Sequence, residues 1–281
     1  MCVLGISLIG VFMVKLISSS LQVALTDCLL LFLGMVVAYV SSKFNFSDFI
    51  FSEGGRQRVN YFFFKLGLAL SFLLVFLKIF SGDSSSYARS LEEGGIVEWT
   101  SFLLLLSSAY LFFCCSRIVR PLFLKMIYRV FSVLSFVVGM EEMSWGQILF
   151  RWTTPEPVSL LNAQGETNLH NIQLIHGHAD LAYGAILLLM IIASLSSRMF
   201  AGLSRESLFF ESVLQLLPSR FLLVYFLPAC VLILCLYFDV HEYANGFIIK
   251  GEEELAELLG AVGLFAYSIS QVSLFWRLSR R

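Results

Sequence analysis

The stretch that decides the fold is 220-RFLLVYFLPACVLILCLYF-238. Between Arg220 and Asp239 it holds no charged residue. A hydrocarbon core of roughly 30 Å takes about 20 helical residues to cross. Only helices and closed barrels satisfy their backbone groups in lipid. This run lacks the apolar–polar alternation of a barrel strand, so it reads as a transmembrane helix. Its two ends differ. A base, Arg220, precedes it, whereas Asp239, His241 and Glu242 follow it.

Working outward, the same reading places crossings near 21–40, 61–80, 98–116, 121–140, 181–199 and 253–276. Residues 1–18 read as one more. They lack a basic start and a small-x-small cleavage pattern, so they are not read as a cleaved signal peptide. The expected fold is an all-α polytopic transmembrane helix bundle of seven or eight spans, one domain over 1–281. Composition agrees. The chain is 58% hydrophobic and 14% charged, against roughly 45–50% and about 25% in soluble domains. That excludes a soluble enzyme, a disordered chain and a disulfide scaffold.

The base-to-acid polarity of the 220–238 run recurs along the chain. Lys43, Arg56, Arg58, Lys65, Arg117, Arg120, Lys125, Arg129, Arg198, Arg205, Arg220, Arg277, Arg280 and Arg281 gather on one side. The opposite loops hold only Arg89, Arg151 and Lys250. By the positive-inside rule both termini are expected in the cytoplasm. Fifteen of the 20 acids and all four His fall on the opposite, outer side. Acids tolerate translocation better than bases, which accounts for some of that bias. It does not account for the His, or for acids at the ends of apolar runs.

Four outer elements carry candidate chemistry. Glu98 opens an apolar helix. Glu141 and Glu142 close another, in Glu-Glu-Met-Ser-Trp-Gly-Gln. An ionisable group within a span is a site hypothesis by default, although at a span end it can also reach water. If that helix continued, Glu141 would share a face with Trp145, and Gly146 would leave room beside Glu142. The segment 141–180 is long, broken by Pro155 and Pro157, and is expected to fold back as an outer cap or re-entrant piece between spans 5 and 6. In it Glu166 and His170 stand at i,i+4, a spacing that can share a metal or orient an acid/base. His176 and His178, at i,i+2, suit a loop. The third element, 239–246, offers His241 and Asn245. The fourth is Glu252 to Glu254 with Glu257, before the last helix. Acids there can simply stabilise the helix dipole, but Glu254 and Glu257 share a face.

Span ends in a bundle lie within about 10 Å of their neighbours, so these groups can converge. Clustered acids with few bases must shift their titration, bind a cation or stay solvated. A set with His favours Zn²⁺, and carboxylates alone favour Ca²⁺ or Mg²⁺. The six Cys all fall in apolar runs and no CxxC occurs, so they read as buried hydrophobes. No phosphate-binding glycine loop and no GxSxG is present. The basic loops orient the chain and do not imply nucleic acid.

Two resemblances follow from these residues. Glu141 to Gln147 followed by Gln164 to Asn171, with Glu98-Trp99 and the acidic run Glu252 to Glu257, resembles an uncharacterised family of multi-pass bacterial membrane proteins over about 95–275. That resemblance implies the layout and a bacterial inner membrane, and no activity. The order of a Glu pair, a later His and a final HxxxN is also similar to the intramembrane metalloproteases of the CAAX-prenyl-protease family. It would imply a metal-bound water served by Glu141, Glu142, His170, His241 and Asn245. The sequence departs from that pattern at Gly146, where a base is expected, and at Glu166, where Phe is.

The combined expectation is a metal-dependent enzyme at the outer interface, acting on a lipid, lipid-linked or membrane-embedded peptide substrate. Glu98, Glu141, Glu142 and Glu166 would be catalytic. His170, His241 and Glu142 would hold a divalent metal, Zn²⁺ first. Trp145, Gln147, Asn168, Asn171, His176, His178, Asn245, Glu254 and Glu257 would contact substrate. The rival is a transporter or accessory subunit whose outer acids bind cations or a partner protein. A transporter should carry polar groups at mid-membrane, where Asp27 is nearly the only deep ionisable residue and Pro228 the only mid-span proline.

Overall fold

The computed structural model describes residues 50, 54–80, 91, 95–162, 165, 167–169, 172, 178–199, 213–238 and 251–279. The described chain is all-helical, with no strand and one isolated antiparallel bridge, Asn162 to Ile172. Its helices are α1 Gly55–Phe80, α2 Ile96–Ile118, α3 Leu122–Glu142, the single turns α4 Gln147–Phe150 and α5 Glu156–Ser159, α6 His178–Met199, α7 Leu223–Tyr237 and α8 Glu253–Ser279. Six candidate spans among the described residues are long and apolar enough to cross a membrane. They coincide with the expected runs from 61–80 onward. The expected crossings at 1–18 and 21–40 lie outside the described residues, as does Asp27.

Local sequence explains the boundaries. Pro121 precedes α3 in extended backbone, where a missing N–H costs nothing. Ser219 accepts a hydrogen bond from the Phe221 N–H, capping the 3-10 turn Arg220–Leu222 that leads into α7.

Helix α8 is the axis of the bundle. Of its apolar window 83% is buried, against 22–39% for the other spans. It packs on α2, α7 and α1, while α3 leans on α2 and α6 on α7. In lipid, apolar burial gives helices no reason to associate, so close packing and hydrogen bonds must hold them. The composition of α8 meets that need. A Cβ on Gly263 would stand 2.6 Å from the Phe226 ring, and one on Gly260 would collide with the Tyr183 hydroxyl. Ser268, Ser270 and Ser273 are buried on the same helix. Hydroxyls then tie neighbours together: Tyr225 Oη donates to the Phe63 carbonyl at 2.5 Å, Ser132 Oγ to the Ala109 carbonyl at 2.8 Å, and Tyr128 Oη to Gln271 Oε1 at 3.1 Å.

The consequence for function is polarity along the bundle. Arg56 at the start of α1 donates to Ser270 Oγ near the end of α8, at 3.4 Å. Tyr183 at the start of α6 donates to the Ala256 carbonyl at the start of α8, at 3.1 Å. Bases thus gather at one end of α8 and acids at the other.

Candidate functional site

The acidic end is built from the last residues of α3. The helix stops after Glu142 because the chain turns left-handed: Ser144, Trp145 and Gly146 have φ of 46°, 56° and 95°. Only glycine adopts that region at no steric cost, so two consecutive side-chain-bearing residues there are held by their surroundings. Hydrogen bonds supply the restraint. Glu141 Oε1 accepts from the Trp145 indole N–H, and Glu141 Oε2 accepts from the Leu169 backbone N–H at 2.6 Å. Asn168 Nδ2 donates to Ser144 Oγ at 3.2 Å, and Asn162 Nδ2 donates to Asn168 Oδ1 at 2.8 Å. Gln147 Oε1 accepts from the Thr167 N–H at 2.7 Å. The turn after α3 and the loop around 162–169 are therefore one pinned unit.

This alters one expectation. Glu141 and Trp145 do meet, but through a chain reversal and not on a continuing helix. Gly146 does not make room beside Glu142; its missing Cβ faces the Phe150 and Trp152 rings at 3.3 and 3.4 Å. Those rings stack on each other at 5.8 Å.

Glu142 faces the other way. One carboxylate oxygen from each of Glu142, Glu254 and Glu257 lies within 4.8 Å of the other two. Glu254 and Glu257 are one turn apart on α8, so they present one face; Glu142 arrives from α3. The charged groups that act on Glu257 are Glu142, Glu253, Asp180 and Glu98, all acids. Glu98, 8% exposed in the first turn of α2, also acts on Glu142. Glu253 instead turns back to accept from the Gly251 N–H at 2.8 Å, a capping role. The acids at this helix start thus divide between capping and clustering.

Sequence reading missed Tyr183. It lies in the first turns of α6, within electrostatic reach of Glu257 and Glu142. A phenol one turn inside an otherwise apolar run was the available signal.

Of the other candidates, Trp145, Gln147 and Asn168 belong to the pinned turn, and His178 is exposed at the first residue of α6. Glu166, His170, Asn171, His176, His241 and Asn245 lie outside the described residues. Carboxylates at this separation repel strongly in a water-poor environment, and a cation that brings them together removes that repulsion. Three oxygen donors suit a hard divalent ion. No protein-family model, curated protein or solved structure matches the chain.

Proposed function

We propose that this chain is a metal-dependent membrane enzyme whose Glu142, Glu254 and Glu257 hold one divalent cation at the non-cytoplasmic interface. Its substrate would be a lipid-linked or membrane-embedded molecule that approaches along the bundle. One observation carries the reading: three carboxylate oxygens from two helices lie mutually within 4.8 Å. The donor set is all oxygen, which favours Mg²⁺, Ca²⁺ or Mn²⁺; a histidine joining it would favour Zn²⁺. The ion would polarise a carbonyl or phosphoryl oxygen, or activate a water. Tyr183 would stand beside it, its one hydroxyl proton given to the Ala256 carbonyl. The left-handed turn at Ser144 to Gly146 supports an active-site reading, since backbone strain concentrates where chemistry or binding is organised.

The location argues against the transporter alternative. Glu142 is the last residue of α3 and Glu254 the second of α8, so the cluster sits at helix ends and not at mid-span, where transporters bind.

The test has two readouts. Purified protein is analysed for bound metal and titrated with Mg²⁺, Ca²⁺, Mn²⁺ and Zn²⁺, alongside Glu142→Gln and Glu257→Gln. It is then incubated with a total membrane lipid extract, with products followed by mass spectrometry. One bound ion, lost in both variants together with a metal-dependent product, is the expected result. Absence of binding in the wild type, or binding unchanged in both variants, overturns the site. Binding without any product leaves the cation site standing and overturns the enzyme.

A further inference from the structure

The basic end of the bundle carries a second arrangement that the acidic site does not use. On α1 the Lys65 ammonium rests over the Tyr61 ring, 4.8 Å from its centroid. Across from it, the Arg220 guanidinium rests over Phe221 at 5.5 Å. The rings between them touch. Tyr61 meets Phe221 edge-on at 6.0 Å, and Phe64 meets Phe221 at 5.5 Å. Two cations therefore bracket one aromatic cluster that joins α1 to the start of α7. Both cations are exposed, and among the described residues neither is paired with a carboxylate.

Beside this cluster opens a groove of about 340 Å³, walled by Phe64, Leu195, Phe221 and Leu223, with Arg220 as its one polar wall among the described residues. Its wall residue Leu195 is 55% exposed on a helix long enough to cross a membrane, so the groove faces lipid. Lys65 lies about 15 Å along α1 from its start. Its contact with Tyr61, one turn earlier, draws the charge back toward the basic end, as snorkelling requires.

We propose that this groove is a binding site for an anionic phospholipid. The phosphate would sit against Arg220, with Lys65 across the ring cluster adding its attraction for the headgroup charge, and the first acyl carbons would lie along Phe64, Leu195 and Leu223. Charge selects the occupant. Two exposed cations, with no carboxylate partner among the described residues, attract a headgroup of net negative charge, whereas a zwitterionic headgroup brings an ammonium of its own. The apolar walls select a lipid over a soluble phosphoester, which would gain nothing from them. Aromatic rings at this level suit the membrane–water boundary.

The test uses the full chain in nanodiscs of phosphatidylcholine titrated with phosphatidylglycerol of the same acyl chains, with retained lipid counted by native mass spectrometry. The variants are Lys65→Gln, Arg220→Gln, both together, Leu195→Trp to fill the groove, and Arg117→Gln as an exposed base elsewhere at the same end. All alter exposed side chains, so the fold should survive, and gel filtration checks it. A base near an anionic headgroup contributes about 1 kcal/mol, about fivefold in affinity. Each single Gln variant should lose about fivefold in phosphatidylglycerol retention and the double variant about 25-fold. Leu195→Trp should lose retention with both charges intact, and Arg117→Gln should match the wild type. Wild-type retention in the double variant, or an equal loss in Arg117→Gln, overturns the site. Competition by millimolar glycerol phosphate would make the occupant a soluble phosphoester and overturn the lipid assignment.

Discussion

Glu141 and Glu142 are neighbours in sequence whose carboxylates serve different parts of the molecule. Glu141 accepts from the Trp145 indole and the Leu169 N–H; Glu142 joins Glu254 and Glu257. Successive residues on a helix point about 100° apart. A helix ending on two acids can thus direct one at the following loop and the other at a neighbouring helix. The loop's position and the cluster's geometry share one peptide bond, so pinning the loop also fixes where Glu142 can reach.

That division separates the two acids experimentally. Glu141→Ala removes the acceptor of two donors, and hydrogen bonds to a charged group contribute about 1.5–3 kcal/mol each. It should lower stability by about 3–6 kcal/mol, with faster proteolytic cleavage between Arg151 and Leu169, while divalent-ion binding persists within a few-fold. Thermal unfolding, limited proteolysis and a metal titration check this. A variant that loses the ion and keeps its protease resistance would reverse the assigned roles.

Glu257→Gln should behave in the opposite sense. Three acidic oxygens this close repel one another, so removing one charge should leave the chelator-treated protein as stable as the wild type or more so. The wild type alone should then gain from the ion. Saturation at 100 times Kd corresponds to about 2.7 kcal/mol, and Glu257→Gln should show little of it. Melting curves with and without Mg²⁺ or Mn²⁺ decide; equal metal-induced shifts in both proteins would argue against a shared ion.

Much of this was legible in the sequence, for physical reasons that differ by element. The six described spans were visible because lipid demands long uncharged helices, as in Leu223–Tyr237. The central place of α8 was written in Gly260, Gly263 and its buried serines, but hydropathy alone does not rank one apolar helix above another. Glu254 and Glu257 could be put on one face from their spacing. Their meeting with Glu142 could not, because it depends on how α3 leans on α2 and α2 on α8. Extrapolating α3 past Glu142 failed at Ser144 and Trp145. Neither residue type announces a left-handed conformation, which tertiary hydrogen bonds impose.

The same turn offers a backbone test. Arg151 ends α4 at φ 56° and is exposed, whereas Gly146 sits at φ 95° with two rings against the place a Cβ would take. Arg151→Gly should stabilise the protein by about 0.5–1 kcal/mol, because glycine takes that conformation without strain. Gly146→Ala should destabilise it by more than 1 kcal/mol, through both the backbone and the Phe150 and Trp152 rings. Denaturant midpoints of the two variants check the signs. An unchanged Gly146→Ala would show that the turn is not held as tightly as its hydrogen bonds require.

The close approach of α6 to α8 should be the structural weak point of the cluster. Tyr183 Oη donates to the Ala256 carbonyl at 3.1 Å, directly over Gly260, where any Cβ would collide with the hydroxyl. Gly260→Ala must push Tyr183 aside or part the helices, at about 1–3 kcal/mol, the usual cost of overpacking. Tyr183→Phe keeps the ring and removes only the hydroxyl, so it should cost about 1 kcal/mol. Combining them distinguishes packing from hydrogen bonding. If the hydroxyl is what Gly260 accommodates, Tyr183→Phe should recover part of the loss caused by Gly260→Ala, so that the double variant is more stable than the sum of the singles. Strict additivity in a double-mutant cycle would mean that the two residues do not meet as described. The cation affinity of Glu142, Glu254 and Glu257 should fall in Gly260→Ala, because α8 carries two of the three acids and Glu257 lies one turn from that contact.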